Sequence, residues 1–153
     1  MIQHFKLIFQ LNEFHGRLVL MILYLERMAW IKFPFKIIRR LIVEMYYNTQ
    51  INPSIFTSKA AIASCRLPHP FQIIIHGTAV LGERLTIFHG VTIGSSEKPG
   101  ATGAAIIGND VYLGCKSSVL GEISIADQVK IGAHALVLRS VPEMGCTVVG
   151  VYK

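Results

Sequence analysis

Of 153 residues, 52% are hydrophobic and 16% are charged, which excludes a disordered chain and leaves room for one domain with a small appendage. The net charge is +6, most of it early: up to Pro53 seven Lys/Arg (Lys6, Arg17, Arg27, Lys32, Lys36, Arg39, Arg40) face three acids (Glu13, Glu26, Glu44). No nucleic-acid motif accompanies that charge, so nucleic acid is not an expected partner. Three scattered cysteines, Cys65, Cys115 and Cys146, make neither a disulfide framework nor a zinc motif, and a reducing cytoplasm is the expected compartment.

In chain order, residues 1–51 read as a helical region. Arg17 to Trp30 lacks Gly and Pro and is rich in Leu and Met. Its apolar run, Leu18 to Leu25, is too short to cross a bilayer and lacks a small-residue cleavage site, so no cleaved signal is expected. Pro34 interrupts the pattern. A second segment, Phe35 to Tyr47, carries Ile37, Ile38, Leu41, Ile42 and Met45 at helical spacing, with Lys36, Arg39 and Arg40 on its other face. The plain expectation is a helical cap on the next region. The sharper one is a basic amphipathic element, within residues 17–47, that touches an anionic membrane surface from the cytoplasmic side.

Residues 52–153 have a different texture. Aliphatic residues recur every six positions: Ile75, Leu81, Ile87, Ile93, then Ile107, Leu113, Val119, Ile125, Ile131 and Val137. Gly or Ala often follows directly (Gly82, Gly94, Gly108, Gly114, Ala126, Gly132). This beat does not fit a helix. It predicts a mainly β fold, a parallel β-helix of hexapeptide repeats: each unit is a short strand and a tight corner, three units close a coil, and stacked coils share one core. The two tracts are out of phase, which places a loop over 95–106, with the sequence SSEKPGATGAA from Ser95 to Ala105.

Several blocks carry a resemblance. They are Leu67-Pro68-His69-Pro70 through Ile75, Thr86-Ile87-Phe88-His89-Gly90-Val91-Thr92-Ile93-Gly94, Ile107 through Gly114, Val119 through Ile123, and Val129 through Val137 with Ser140-Val141-Pro142. From about Asn52 to Gly150 the chain resembles the hexapeptide acyltransferase superfamily, specifically serine-acetyltransferase-like enzymes and the short O-acetyltransferases of exopolysaccharide synthesis, such as the colanic acid type. The resemblance implies a left-handed β-helix, a homotrimer with active sites between solenoids, and acetyl-CoA as donor to a hydroxyl. A hydroxyl attacking a thioester needs a base, and imidazole as a residue type titrates near neutral pH. His69 matches the family's catalytic histidine; otherwise it is a corner residue without a role. His89 stands where relatives have His or Gln, and it either binds the acceptor, neighbours His69 across the trimer interface, or does neither. Backbone around Gly114, Cys115, Gly132 and Ala133 would line the coenzyme A groove, with Lys98 or Lys116 meeting phosphate. No H-x4-H pair of the fold's metal-dependent members occurs among His69, His76, His89 and His134, so no metal is expected.

The chain also departs from serine acetyltransferases. Pro68 stands where they have the Asp before the catalytic His, and Ser54 where they have a second Asp. Ser54 or a backbone carbonyl would then orient His69. Gly103-Ala104 stands where they have Arg-His to clamp the amino-acid carboxylate. Related chains continue past Gly150 with a Pro and a basic tail, so an end at Lys153 is expected to weaken coenzyme A binding. On these grounds the expected function is acetyl-CoA-dependent O-acetylation of a sugar hydroxyl in surface polysaccharide biosynthesis. The alternatives are serine O-acetyltransferase of cysteine biosynthesis and a non-catalytic scaffold.

Overall fold

The computed structural model describes residues 1–29, 33–95 and 103–153. Among the described residues, twelve short parallel strands wind as a three-sided left-handed β-helix. The first face stacks β1 (Ile74–Ile75), β4 (Thr92–Gly94), β7 (Ser118–Leu120), β10 (Leu136–Val137) and β12 (Val151–Tyr152). The second stacks β2 (Val80–Leu81), β5 (Ile106–Ile107) and β8 (Ser124–Ile125). The third stacks β3 (Thr86–Ile87), β6 (Tyr112–Leu113), β9 (Lys130–Ile131) and β11 (Thr147–Val148).

The six-residue beat is the core. All ten aliphatic residues on it are at most 5% exposed, and register pairs them coil to coil, as in Ile75 with Ile93 and Val119 with Val137. The inner corner residues Ala79, Leu85, Val91, Val111, Val129, Ala135 and Val141 are buried beside them. The small residue after each beat is there because the next coil passes close by. A Cβ on Gly82 would lie 2.5 Å from the Gly108 carbonyl oxygen, and one on Gly114 2.7 Å from the Ala133 nitrogen. Left-handed backbone falls two residues later, often on side chains that do not favour it: Arg84, Asp110, Lys116, Gln128 and His134 have φ of 55–62°. At one corner this conformation is supported by side chains, since Arg84 grips Asp110 with two 2.7 Å hydrogen bonds and Asp127 accepts from the Asn109 N–H at 2.7 Å.

The helical part differs from the expected segments. The expected segment from Arg17 starts earlier, as α2 (Phe14–Met28), and a separate helix precedes it, α1 (Ile2–Leu11); Gly16 lies inside α2 because a Cβ there would come 2.5 Å from the Leu67 carbonyl oxygen. The second segment begins earlier than expected, with α3 (Phe33–Ile38). Pro34 sits in its first turn, where a missing N–H costs nothing, and Arg39–Tyr46 continues as π-helix. A further helix, α4 (Lys59–Ser64), capped by the Ser58 hydroxyl, interrupts the stretch expected to be solenoid throughout. Around it the chain already forms an irregular first coil: Gln50 bridges Ile74, Phe56 bridges Leu81, and Arg66 bridges Thr86. Of the expected loop, 96–102 lies outside the described residues, and the chain rejoins the solenoid by Ala104 and Ala105, both buried. Among the described residues no helix is long and apolar enough to cross a membrane.

Candidate active site

The irregular first coil carries His69 at the corner between the third and first faces. Pro68 and Pro70 flank it, fixing their own φ and restricting the backbone of the residue before each. Two buried polar side chains brace this segment. Asn12 donates to the Cys65 carbonyl at 2.9 Å and accepts from the Leu67 N–H at 2.7 Å. Thr49, fully buried, donates to the Pro70 carbonyl at 2.8 Å and accepts from the Ile73 N–H at 3.2 Å. Phe71 packs on Tyr47 and His15, with ring centroids 4.9 and 5.9 Å apart. The backbone near the histidine is therefore held by helix residues as well as by neighbouring coils.

One coil along, His89 lies at the same corner, half-buried, its ring centroid 6.2 Å from that of the exposed His69. The two histidines are neighbours within one chain, so no trimer interface is needed to bring them together. Cys115 and Lys116 follow in the next coil, then Ala133 and His134, tied by hydrogen bonds from Lys116 N–H to the His89 carbonyl and from His134 N–H to the Cys115 carbonyl, at 2.9 and 2.8 Å. Thus His69, His89, Gly114, Cys115, Lys116, Gly132 and Ala133, expected to act together, share one edge of the prism. Lys98 lies outside the described residues.

Sequence reasoning missed what the edge offers between its side chains. Among the described residues, the backbone N–H groups of His89, Cys115 and Ala133 donate to no acceptor, one free donor per coil. The coils repeat at about 4.8 Å. A row of donors beside a pair of imidazoles can hold amide and thioester carbonyl oxygens in extended array and can take up negative charge on a tetrahedral intermediate. The Lys116 stem lies against the turn: a Cβ on Gly90 would meet its Cγ at 2.8 Å.

Within one chain Ser54, expected to orient His69, lies away from it. Its place between Gln50 and Phe56 puts it at the corner between the first and second faces, and its hydroxyl donates to the Asn52 side chain at 2.9 Å. His76 is at that corner too, bonded to the Thr78 hydroxyl at 2.9 Å. Gly103 donates its N–H to Glu122, so that loop terminus is tied to the coil above it. Among the described residues no cluster of three or more His, Cys, Asp or Glu could hold a metal ion.

No family model matches the chain. Among curated proteins, the serine acetyltransferase of Helicobacter pylori is 40% identical over 84 residues, covering 55% of this chain and 48% of that protein. Among solved structures, the serine acetyltransferase of Neisseria gonorrhoeae in complex with serine superposes with a TM-score of 0.66 at 29% identity, over 86% of this chain and 51% of that one. The serine acetyltransferase of Brucella abortus in complex with coenzyme A gives 0.65 at 23% identity, over 84% and 50%. The chain spans about half the length of such relatives or less, 34% in the case of the Synechococcus elongatus serine acetyltransferase.

These likenesses overturn the expected polysaccharide acceptor, since the matched relatives and neighbours are serine acetyltransferases. The expectation leaned on the missing Arg-His at Gly103-Ala104. That inference was too narrow, because a carboxylate can be met by another cation or by backbone N–H groups. The same likeness, together with the repeating coils, places the chain in the hexapeptide-repeat acyltransferase superfamily, on its serine acetyltransferase-like branch.

Proposed function

We propose that the chain is a serine O-acetyltransferase of cysteine biosynthesis, moving an acetyl group from acetyl-CoA to the hydroxyl of L-serine. One observation supports this above the others: two imidazoles and a row of free backbone N–H donors share one solenoid edge, in a scaffold whose matched relatives are serine acetyltransferases.

In this mechanism His69 takes the proton of the serine hydroxyl as its oxygen attacks the thioester carbon. The carbonyl oxygen becomes an oxyanion, held by edge N–H groups. Collapse breaks the carbon–sulfur bond, and the imidazolium returns its proton to the departing coenzyme A thiolate, leaving O-acetylserine and free thiol. Prolines on either side and the Asn12 and Thr49 hydrogen bonds hold the backbone that carries the base. His89 binds the acceptor beside it. The pantetheine arm runs along Gly114, Cys115, Gly132 and Ala133, and Lys116 meets coenzyme A phosphate.

The working form is a homotrimer. Val80 and Ile106 support this, being paired on the outside of the second face and 38% and 56% exposed. Sedimentation equilibrium reads the assembly directly. We further propose that the exposed apolar residues of the second helical segment, Phe33, Ile37 and Leu41, give it a peripheral contact with the membrane.

The test of function is release of free thiol from acetyl-CoA with L-serine, with O-acetylserine identified by mass spectrometry. His69→Ala is expected to lower kcat by about a hundredfold or more, with coenzyme A affinity unchanged. Full activity in His69→Ala, or coenzyme A binding with no turnover of serine, rejects the proposal.

A further inference from the structure

A cavity lies at a different corner of the chain from the histidine edge. It forms where the end of α2, the second helical segment and the Asn52–Ser54 turn converge with the start of α4, and it measures about 570 Å³. Arg27, Lys36, Arg39 and Lys59 line it, against a single carboxylate, Glu26.

These charges are not balanced locally. Glu26, nearly fully buried, is matched by Arg39 at 2.8 Å, and Arg39 reaches Glu44 with its other arm. Arg27 donates to the Pro53 carbonyl at 2.6 Å, a contact that fixes the guanidinium without neutralising it. Lys36 and Lys59 make no ion pair among the described residues. Three positive charges therefore converge on one polar cavity, and their mutual repulsion is relieved by an anion. A solvated surface patch would spread such charges over a convex face. Here, elements far apart in sequence bring them around a concavity in the size range of small-molecule sites, about 300–1,000 Å³.

We propose that this cavity binds a phosphorylated small molecule carrying two or more negative charges. Arg27 is pre-set for a phosphate oxygen, while Lys36 and Lys59 supply point charges on flexible stems from two different helices. The cavity lies at the corner between the first and second faces, apart from His69 and His89. Within one chain its ligand is therefore separate from the acetyl donor and acceptor, and the proposal stands independently of the reaction assigned above.

The experiment uses the full chain and inorganic pyrophosphate at constant ionic strength, read by calorimetry and by melting temperature. Saturable binding with a concentration-dependent rise in melting temperature is expected. The double variant Lys36→Gln/Lys59→Gln should bind about tenfold more weakly or worse, with unchanged melting temperature in the absence of pyrophosphate. A control pair, Lys6→Gln/Lys130→Gln, removes the same charge elsewhere and should bind as the parent does. Phosphatidic acid in phosphatidylcholine vesicles forms the second arm, separating a lipid headgroup from a soluble ligand. No binding of pyrophosphate, equal loss in the control pair, or pocket-dependent binding of vesicles alone would overturn the proposal.

Discussion

Thr49→Val replaces a hydroxyl with a methyl of nearly the same size and removes one brace of the His69 segment. In the parent, the Thr49 oxygen donates to the Pro70 carbonyl at 2.8 Å and accepts from the Ile73 N–H at 3.2 Å, in a site with no solvent exposure. Valine leaves both backbone groups unpaired. Each buried orphan costs about 1–3 kcal/mol, so the loss of two should be roughly 2–6 kcal/mol, a large share of a typical stability of about 5–15 kcal/mol. For a chain of this size that lowers the melting temperature by roughly 5–20 °C. Urea unfolding monitored by circular dichroism gives the free energy. Thr49→Ser, which keeps the oxygen, is the control and should retain most of the stability. Because Pro70 directly follows the proposed base, kcat should also fall at temperatures where the variant is fully folded, with the KM for acetyl-CoA little changed. A Thr49→Val protein within about 0.5 kcal/mol of the parent would refute the bracing argument.

Ser117 gives the opposite expectation. Its hydroxyl is buried in the solenoid without a partner among the described residues, at an inner corner position filled elsewhere by Val91 and Ala135. Ser117→Ala should therefore raise stability by about 1 kcal/mol, and a measurable loss of stability would show that the hydroxyl has a partner in solution. Burial pushes the Cys65 thiol up to about 12, while Cys115 and Cys146 are partly exposed. A disulfide reagent should modify Cys115 and Cys146 in the native protein and Cys65 only on unfolding, and coenzyme A should protect Cys115. Because the Cys65 thiol stays protonated in the folded state but ionises once unfolded, stability is intact below the unfolded thiol value near pH 8.5. Above it, stability falls by about 1.4 kcal/mol per pH unit. Cys65→Ala should flatten that alkaline slope, and an unchanged slope would contradict the assignment.

The solenoid could be read from sequence because its driving force is periodic. A residue such as Ile87 or Val119 meets its own kind in adjacent coils, so a six-residue beat specifies the strand, its inward face and its register together. The edge residues could be read for the same reason: His89, Cys115 and Ala133 occupy equivalent places in successive units. The first coil was harder. It lacks the beat, and α4 is inserted between Phe56 and Arg66, so only long-range bridges reveal that it is a coil at all. Asn12, Gly16 and Thr49 look unremarkable in sequence, because their partners lie 21 to 55 positions away. The cationic cavity was equally hidden: Lys59 joins Arg27, Lys36 and Arg39 only through the tertiary fold. Acceptor choice was misjudged because it was argued from a few departing positions, Pro68 and Gly103-Ala104 among them, where the wider likeness to serine acetyltransferases carried more information.

The irregular first coil also determines where the stack stops. Each regular coil offers the next one a full set of backbone donors and acceptors, and a regular coil left bare at this end would offer them to another molecule. Here Gln50, Phe56 and Arg66 occupy the underside of the first regular coil, and the helices packed beneath them present side chains instead of strand edges. The helical region thus works as a terminator of polymerisation. Stripped of it, the same repeats that make a finite prism would have an adhesive end, and growth by head-to-tail addition into fibres is the expected fate of the exposed coil.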